Sequence, residues 1–422
     1  MKLPMKVMSV AAVAAVVASL AACSTGAGSG ADAATANLDA RGPITYVQGK
    51  DNSGIVNPLV EKWNADHPDE RVTFKELTDE ADQQHDDMVQ NLQAQNKDYD
   101  VMSVDLVWTA EFAAKGWLQP LDDAGIDTSG MLQSTVDSGT YNDILYAAPV
   151  TSDGGILYYR TDLVPEPPTT WDEMMAMCPI AAQNGIACYA GQFAKYEGLT
   201  VNATEAINSA GGTVIDDEGN PALETDAAEQ GLQNLADAYA NGNIPAEAIT
   251  YTEEEGRIAF QGGKLMFLRN WPYVYNLAST EGSSAVKDVL GMAALPGTDG
   301  PGASSLGGHN AAISVYSDTK ATAIDFVKFL TSEENQRFYA TQGSLAPTLS
   351  ALYDDEALIS ELPYLPVLKT SIENAVPRPV TPFYPAVTNA IQDNAYAAIK
   401  GEKTVTEAMT DMQNSIESAG SQ

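Results

Sequence analysis

The chain predicts an α/β fold, organised as two domains or one large two-lobed one, and three observations lead there. From Gly42 onward, short apolar runs alternate with segments of helical apolar spacing, the pattern of strands feeding a largely parallel sheet. Residues 41–422 exceed what one ordinary hydrophobic core organises. A Gly/Pro/Ser-rich stretch at 296–308 (PGTDGPGASSLGG) then reads as a connection between lobes.

The elements follow in order. Residues 43–47 read as a strand. Ile55, Val56, Leu59, Val60 and Trp63 recur at helical spacing until His67-Pro68 stops the helix. Val72, Phe74 and Leu77 mark a second strand, and a polar helix follows with Met88 and Leu92 inward. Residues 100–105 (DVMSVD) form a third strand, before a helix carrying Phe112, Ala113 and Trp117. Ligands in such sheets sit beyond the carboxyl ends of the strands, which singles out Asp105 and the run Gly49-Lys50-Asp51. A second α/β segment begins at Ile156 and includes an N-cap at Thr170 with acids in the first turn, and a helix near 226–241. Its strand ends in MFLRNWPYVYN (266–276). The C-terminal part is helical, from Lys320 with Ile324, Val327 and Leu330 inward.

The N-terminus reads as an export signal. Lys2 and Lys6 precede an apolar run at 7–18, too short to span a bilayer, and Leu20-Ala21-Ala22-Cys23 matches a bacterial lipobox. Residues 1–22 are then a lipoprotein signal peptide, Cys23 is the acylated first residue, and 23–40 are a small-residue polar tether. Cys178 and Cys188 remain, in an oxidising compartment, and predict a local disulfide contributing roughly 2–3 kcal/mol through the unfolded state. Two buried thiols are the alternative.

Composition excludes several classes. The 57 acidic side chains against 22 basic ones give a net charge of −35, which repels nucleic acid and anionic lipid. No Walker-type phosphate loop, dinucleotide fingerprint, HExxH or Gly-x-Ser-x-Gly occurs, and the three histidines are scattered. No cofactor and no metal site is expected. The acid runs at 216–219 and 253–255 read as solvated turns.

Eight ordered segments carry a resemblance: DVMSVDLVWTAEFAAKGWLQPLD (100–122), APVTSDGGILYYRTDL (148–163), PPTTWDEM (167–174), YEGLTVNATEAINSAGG (196–212), AFQGGKLMFLRNWPYVYN (259–276), ALPGTDGPGASSLGG (294–308), AIDFVKFLTSEENQRF (323–338) and PRPVTPFYPAV (377–387). Together the chain resembles the extracellular solute-binding proteins of sugar ABC importers, nearest their trehalose/maltose/sucrose-binding branch. The resemblance implies a two-lobed periplasmic-binding-protein fold whose hinge the chain crosses three times, near 149–152, 296–306 and 343–347. Lobe 1 would hold 41–150 and 297–343, and lobe 2 would hold 151–296 and 344–422. A monomer would capture an α-glucoside disaccharide of the trehalose, maltose or sucrose type in the cleft and pass it intact to a membrane permease, with no catalysis.

The physical chemistry of the residues agrees. A pyranose offers an apolar face and a rim of hydroxyls; Trp271, Tyr273 and Tyr158 offer flat apolar area, while carboxylates and guanidinium meet hydroxyls. Asn270 and Tyr273 are expected to frame Trp271. By resemblance Asp105, Asp153, Glu197, Trp271 and Arg378 contact the ligand, and Gly307-Gly308 bring backbone close to it. His309 stands where relatives often carry an aromatic, which implies a smaller, more polar wall and leaves room for a longer or non-gluco oligosaccharide. A secreted glycoside hydrolase using two of the acids is the reading from a different class.

Overall fold

The computed structural model describes residues 34–216 and 219–421. The export signal, Cys23 and the first part of the tether lie outside the described residues. Two sheets organise the chain. The first contains β1 (Ile44–Gln48), β2 (Val72–Glu76), β3 (Val101–Asp105), β4 (Ala147–Asp153) and, from much later in the chain, Gly307–Ile313. The second contains β5 (Ile156–Arg160), β6 (Ala187–Ala190), β7 (Leu265–Asn270) and β8 (Leu290–Ala293), so Gly307–Ile313 is β9.

Sheet order is β2-β1-β3-β9-β4 in the first and β8-β5-β7-β6 in the second. β1 pairs in parallel with both β2 and β3, and β9 runs antiparallel to both β3 and β4. Four strands of the first sheet therefore share a direction and β9 opposes them. In the second sheet β5 is the reversed strand, antiparallel to β7 and β8, while β6 and β7 are parallel. The expected parallel arrangement holds apart from these two strands, and both exceptions have one cause. Each reversed strand is the first that the chain contributes to its sheet after coming over from the other one, so it runs away from the cleft that the other strands run toward.

The chain passes from β4 to β5 at Gly154–Gly155, and returns between β8 and β9. It crosses for a third time after helix Glu333–Gly343, and its last two helices, Tyr384–Ile399 and Val405–Gly420, pack with Glu197–Ser209 and Asp226–Ala240. The result is two lobes. One apolar cluster lies under the first sheet, around Tyr46, Val101, Ile313 and Phe326, and a larger one takes in Met88, Met102 and Phe112 beside that sheet and runs on through the second lobe around Tyr158, Phe267, Leu232 and Ile391.

Local sequence accounts for the helices nearest the cleft. Helix Val56–Asp66 buries Val56, Leu59, Val60 and Trp63, one face at helical spacing. Helix Ala81–Gln93 starts where the Glu80 carboxylate accepts from the amides of Asp82 and Gln83. Thr170 and Glu173 form a capping box on Trp171–Gln183. Cys178 of that helix is bonded to Cys188 of β6, as expected. Among the described residues no helix is long and apolar enough to cross a membrane.

Candidate functional site

A cavity of about 230 Å³ lies between the two sheets. Strand direction explains its walls. The carboxyl ends of β1, β3, β4 and β7 bring Gln48, Asp105, Asp153 and Trp271 to it, and the amino end of β9 brings Gly307, Gly308 and His309. Four helices also start there: Val56–Asp66, Ala81–Gln93, Glu197–Ser209 and Glu253–Gln261 each contribute residues of their first turn. Unbonded amides and aligned dipoles make such ends positive, which offsets the many carboxylates gathered at one place.

The register of β9 sets one side. His309 pairs with Asp105 of β3 and with Thr151 of β4, while Gly307 pairs with Asp153. Burial lowers the His309 imidazole's pKa, favouring a neutral ring that can both donate and accept. Gly308 has φ +119°, and a Cβ there would meet the Thr151 carbonyl oxygen at 2.2 Å. Gly307 is constrained differently, because a Cβ there would lie 2.8 Å from the six-membered edge of Trp271.

Trp271 is held from behind. The Arg269 guanidinium carbon lies 4.0 Å from its ring centroid, and Arg269 itself is locked. Its Nε and Nη2 donate to Glu205 at 2.7 and 2.5 Å, and its Nη1 donates to Gln192 Oε1 at 2.9 Å. Tyr273 donates to Glu254 at 2.7 Å and Tyr196 to Glu253 at 2.7 Å, so both phenols face the wall through fixed partners.

Arg378 crosses the cleft. Its Nη2 donates to Asp105 Oδ1 at 2.9 Å, and its Nη1 donates to Glu197, whose other partners are the hydroxyls of Tyr384 and Thr388. Arg378 is 3 % exposed, yet its Nε has no hydrogen-bond partner among the described residues, and neither does Asp153 Oδ1. Burial holds the Asp153 carboxyl up at about 7, opposed by a hydrogen bond from the Ala346 amide and by Arg269. Buried polar atoms are nearly always paired, and both of these unpaired ones belong to residues that line the cavity.

Nine expected site residues line the cavity: Asp105, Asp153, Glu197, Trp271, Tyr273, Gly307, Gly308, His309 and Arg378. Tyr158 does not. It is fully buried on β5, and its hydroxyl donates to the carbonyls of Trp271 and Pro272 at 3.0 and 3.2 Å. Asn270 does not line it either. Its Oδ1 accepts from the Trp271 amide and its Nδ2 donates to the Glu253 carbonyl, so it shapes the turn that presents Trp271. The run at 253–255 also needs correcting. Glu253 and Glu254 line the cavity at the start of a helix, and the capping box formed by Thr252 and Glu255 was the sequence signal for that start. Lys50, Asp51, Asp79, Trp108 and Tyr196 join the lining as well. Among the described residues no cluster of three or more His, Cys, Asp or Glu is placed to hold a metal ion.

The chain matches the bacterial extracellular solute-binding proteins over residues 48–337. It belongs to that family. A probable ABC transporter-binding protein of Deinococcus radiodurans is 32% identical over 344 residues, 78% of this chain and 81% of the relative. The maltose-bound MalE3 of T. maritima is similar in structure, with a TM-score of 0.85, 32% identity, and coverage of 89% of this chain and 99% of that one. A solute-binding protein of Thermotoga lettingae bound with α-D-tagatose has the same fold, with a TM-score of 0.82 at 23% identity, covering 90% of this chain and 99% of that one. This solute-binding protein is thus the substrate-binding component of an ABC transporter, with its cavity in the position between lobes that ligand sites favour.

Proposed function

We propose that this protein captures a carbohydrate, an α-glucoside disaccharide of the trehalose, maltose or sucrose type, outside the cell and delivers it intact to its membrane permease. The observation that carries the reading is Trp271. An aromatic face stands at the cavity wall, backed by Arg269, with Gly307 leaving room for its edge and the orphan atoms of Asp153 and Arg378 on the same cavity. That combination suits a ring with an apolar face and a hydroxyl rim. The maltose held by the similar MalE3 supports the same class. In this reading Cys23 carries the lipid that keeps a monomer at the outer face of the cell membrane, and residues 41–150 with 297–343 close against 151–296 with 344–422 around the sugar.

No bond is made or broken. Glu197 is already held by three donors and Asp105 by Arg378, which suits fixed acceptors better than a proton shuttle. The test is intrinsic tryptophan fluorescence of the purified protein, titrated with trehalose, maltose, sucrose and longer oligosaccharides, followed by recovery of each sugar. A saturable change with an α-linked disaccharide recovered intact supports the reading; release of monosaccharide would replace it with a hydrolase.

His309 favours one second reading. With a small imidazole ring instead of a larger aromatic one beside Asp105, that wall is narrower and more polar. A longer or non-gluco oligosaccharide, or an open-chain polyol, fits such a wall. Similar proteins bound with ribitol and D-mannitol share the fold at 21% and 22% identity. Saturation by these and silence from the disaccharides would select it.

A further inference from the structure

The cavity does not end at its polar walls. On the lobe 1 side it continues between Ile55, Leu59, Val60, Leu330, Tyr339 and Leu345, which also bound it. These side chains come from helix Val56–Asp66 and its N-cap Ile55, helix Lys320–Thr331, helix Glu333–Gly343 and the segment following it. Five of them belong to the apolar cluster beneath the first sheet and Leu345 packs against it, so this part of the cavity opens into the core of lobe 1 rather than toward solvent. A protein core is ordinarily packed without gaps a water molecule could enter. Here the packing is left incomplete on the side that faces the ligand cleft.

One polar group looks into this chamber. Tyr339 is 3 % exposed, and its hydroxyl makes no hydrogen bond among the described residues. Tyr46, on the same cavity, is different, since its hydroxyl is bonded to Gln48 Oε1 at 2.7 Å. A buried phenol without a partner is a donor awaiting an acceptor. The chamber therefore offers apolar walls and a single donor, while the adjoining cleft offers Trp271, Asp153 and Arg378.

We infer that the chamber is a subsite for a small apolar substituent carried by the bound carbohydrate, one that bears a single hydrogen-bond acceptor, as a methoxyphenyl or acyl group does. The identity of the occupant rests on the carbohydrate reading above; the existence of the chamber as a binding site does not. Continuity with the cleft selects this occupant over a free apolar molecule, because the substituent enters while the sugar stays on Trp271.

The experiment has two arms. Anisole, an apolar ring with one ether acceptor, is titrated alone into the protein and followed by ligand-observed NMR and thermal shift. Saturable binding is expected, weakened about threefold to tenfold in Tyr339→Phe and abolished in Val60→Phe, whose ring fills the chamber. Tyr339→Phe is isosteric and keeps the test usable if Val60→Phe fails to fold. No saturable signal in the unaltered protein, or a signal that neither variant changes, overturns the chamber. In the second arm, the methoxyphenyl glycoside of the sugar found to bind is compared with its methyl glycoside. At least about fivefold tighter binding is expected from the added apolar burial, with Tyr339→Phe removing part of the gain. Equal affinities would overturn the substituent as occupant. Failure of every glycoside to bind would overturn the carbohydrate reading, and the anisole arm would still decide whether the chamber binds.

Discussion

The guanidinium carbon of Arg269 lies 4.0 Å from the ring centroid of Trp271, on a side chain 1 % exposed and tied to Glu205 and Gln192. A residue buried in lobe 2 thereby sets the orientation of the aromatic face at the cleft. The two residues should fail differently. Trp271→Ala is expected to weaken ligand binding by about 2 kcal/mol, roughly thirtyfold, while changing stability by less than about 1 kcal/mol. Arg269→Met leaves Glu205 buried without its cation and should cost about 3–5 kcal/mol of stability. Calorimetric titration and chemical denaturation of both variants separate the two effects.

Gly307→Ala tests the same platform from the other side. A Cβ 2.8 Å from Cη2 and Cζ3 of Trp271 forces the ring to move, so affinity should drop about tenfold or more with the fold retained. Gly308→Ala should instead destabilise the protein, since its Cβ meets the Thr151 carbonyl and its φ is +119°. Equal stability of the two variants in thermal melts would contradict this distinction.

The pair Arg378–Asp105 joins the C-terminal segment to the end of β3, across the cleft. Asp105→Asn removes the ionic part of that bridge and keeps Arg378 paired with Glu197. The ligand-free protein should then sample a more open arrangement, visible as an increased radius of gyration in small-angle X-ray scattering, with saturating ligand restoring the compact value. An unchanged radius would mean that the bridge does not hold the lobes together.

Asp153 on the cavity wall and Asp82 in the first turn of helix Ala81–Gln93 give a signed pH dependence. Burial raises the carboxyl of Asp153 to about 7, and burial together with the nearby Glu197 charge raises that of Asp82 to about 7, against a hydrogen bond from Gln392. In an unfolded chain both titrate at about 3.9. Between about pH 4 and 7 the folded protein binds protons that the unfolded chain does not, so these groups make stability fall as pH rises through that window. Asp82→Asn and Asp153→Asn should each flatten that decline in melting temperature measured from pH 5 to 8. A slope unchanged in both variants would remove the assignment.

Much of the fold was legible in the sequence because its signals are local. The helical spacing of Val56, Leu59, Val60 and Trp63, the N-cap at Thr170 and the Gly/Pro-rich return at 296–308 each depend on neighbours in the chain. The two reversed strands were not legible. Direction within a sheet depends on where the chain arrives from, and both β5 and β9 arrive from the other lobe. The site shows the same division. Trp271 follows an apolar run and stands out by its own chemistry, whereas Glu253 and Glu254 looked like an ordinary acid run and line the cavity because their helix begins there.

The sequence pointed to the α/β class and a local Cys178–Cys188 disulfide, and with the family resemblance it pointed to two lobes and nine residues of the cavity wall, since each rests on patterns or motifs within short segments. Only the tertiary structure decided which face each side chain presents. Tyr158 turned into the core, Asn270 became a brace for the turn, Arg269 came to lie behind Trp271, and Arg378 reached a strand 273 residues away. Those outcomes follow from sheet register and from the packing of one lobe against the other, which bring together groups that no sequence spacing relates.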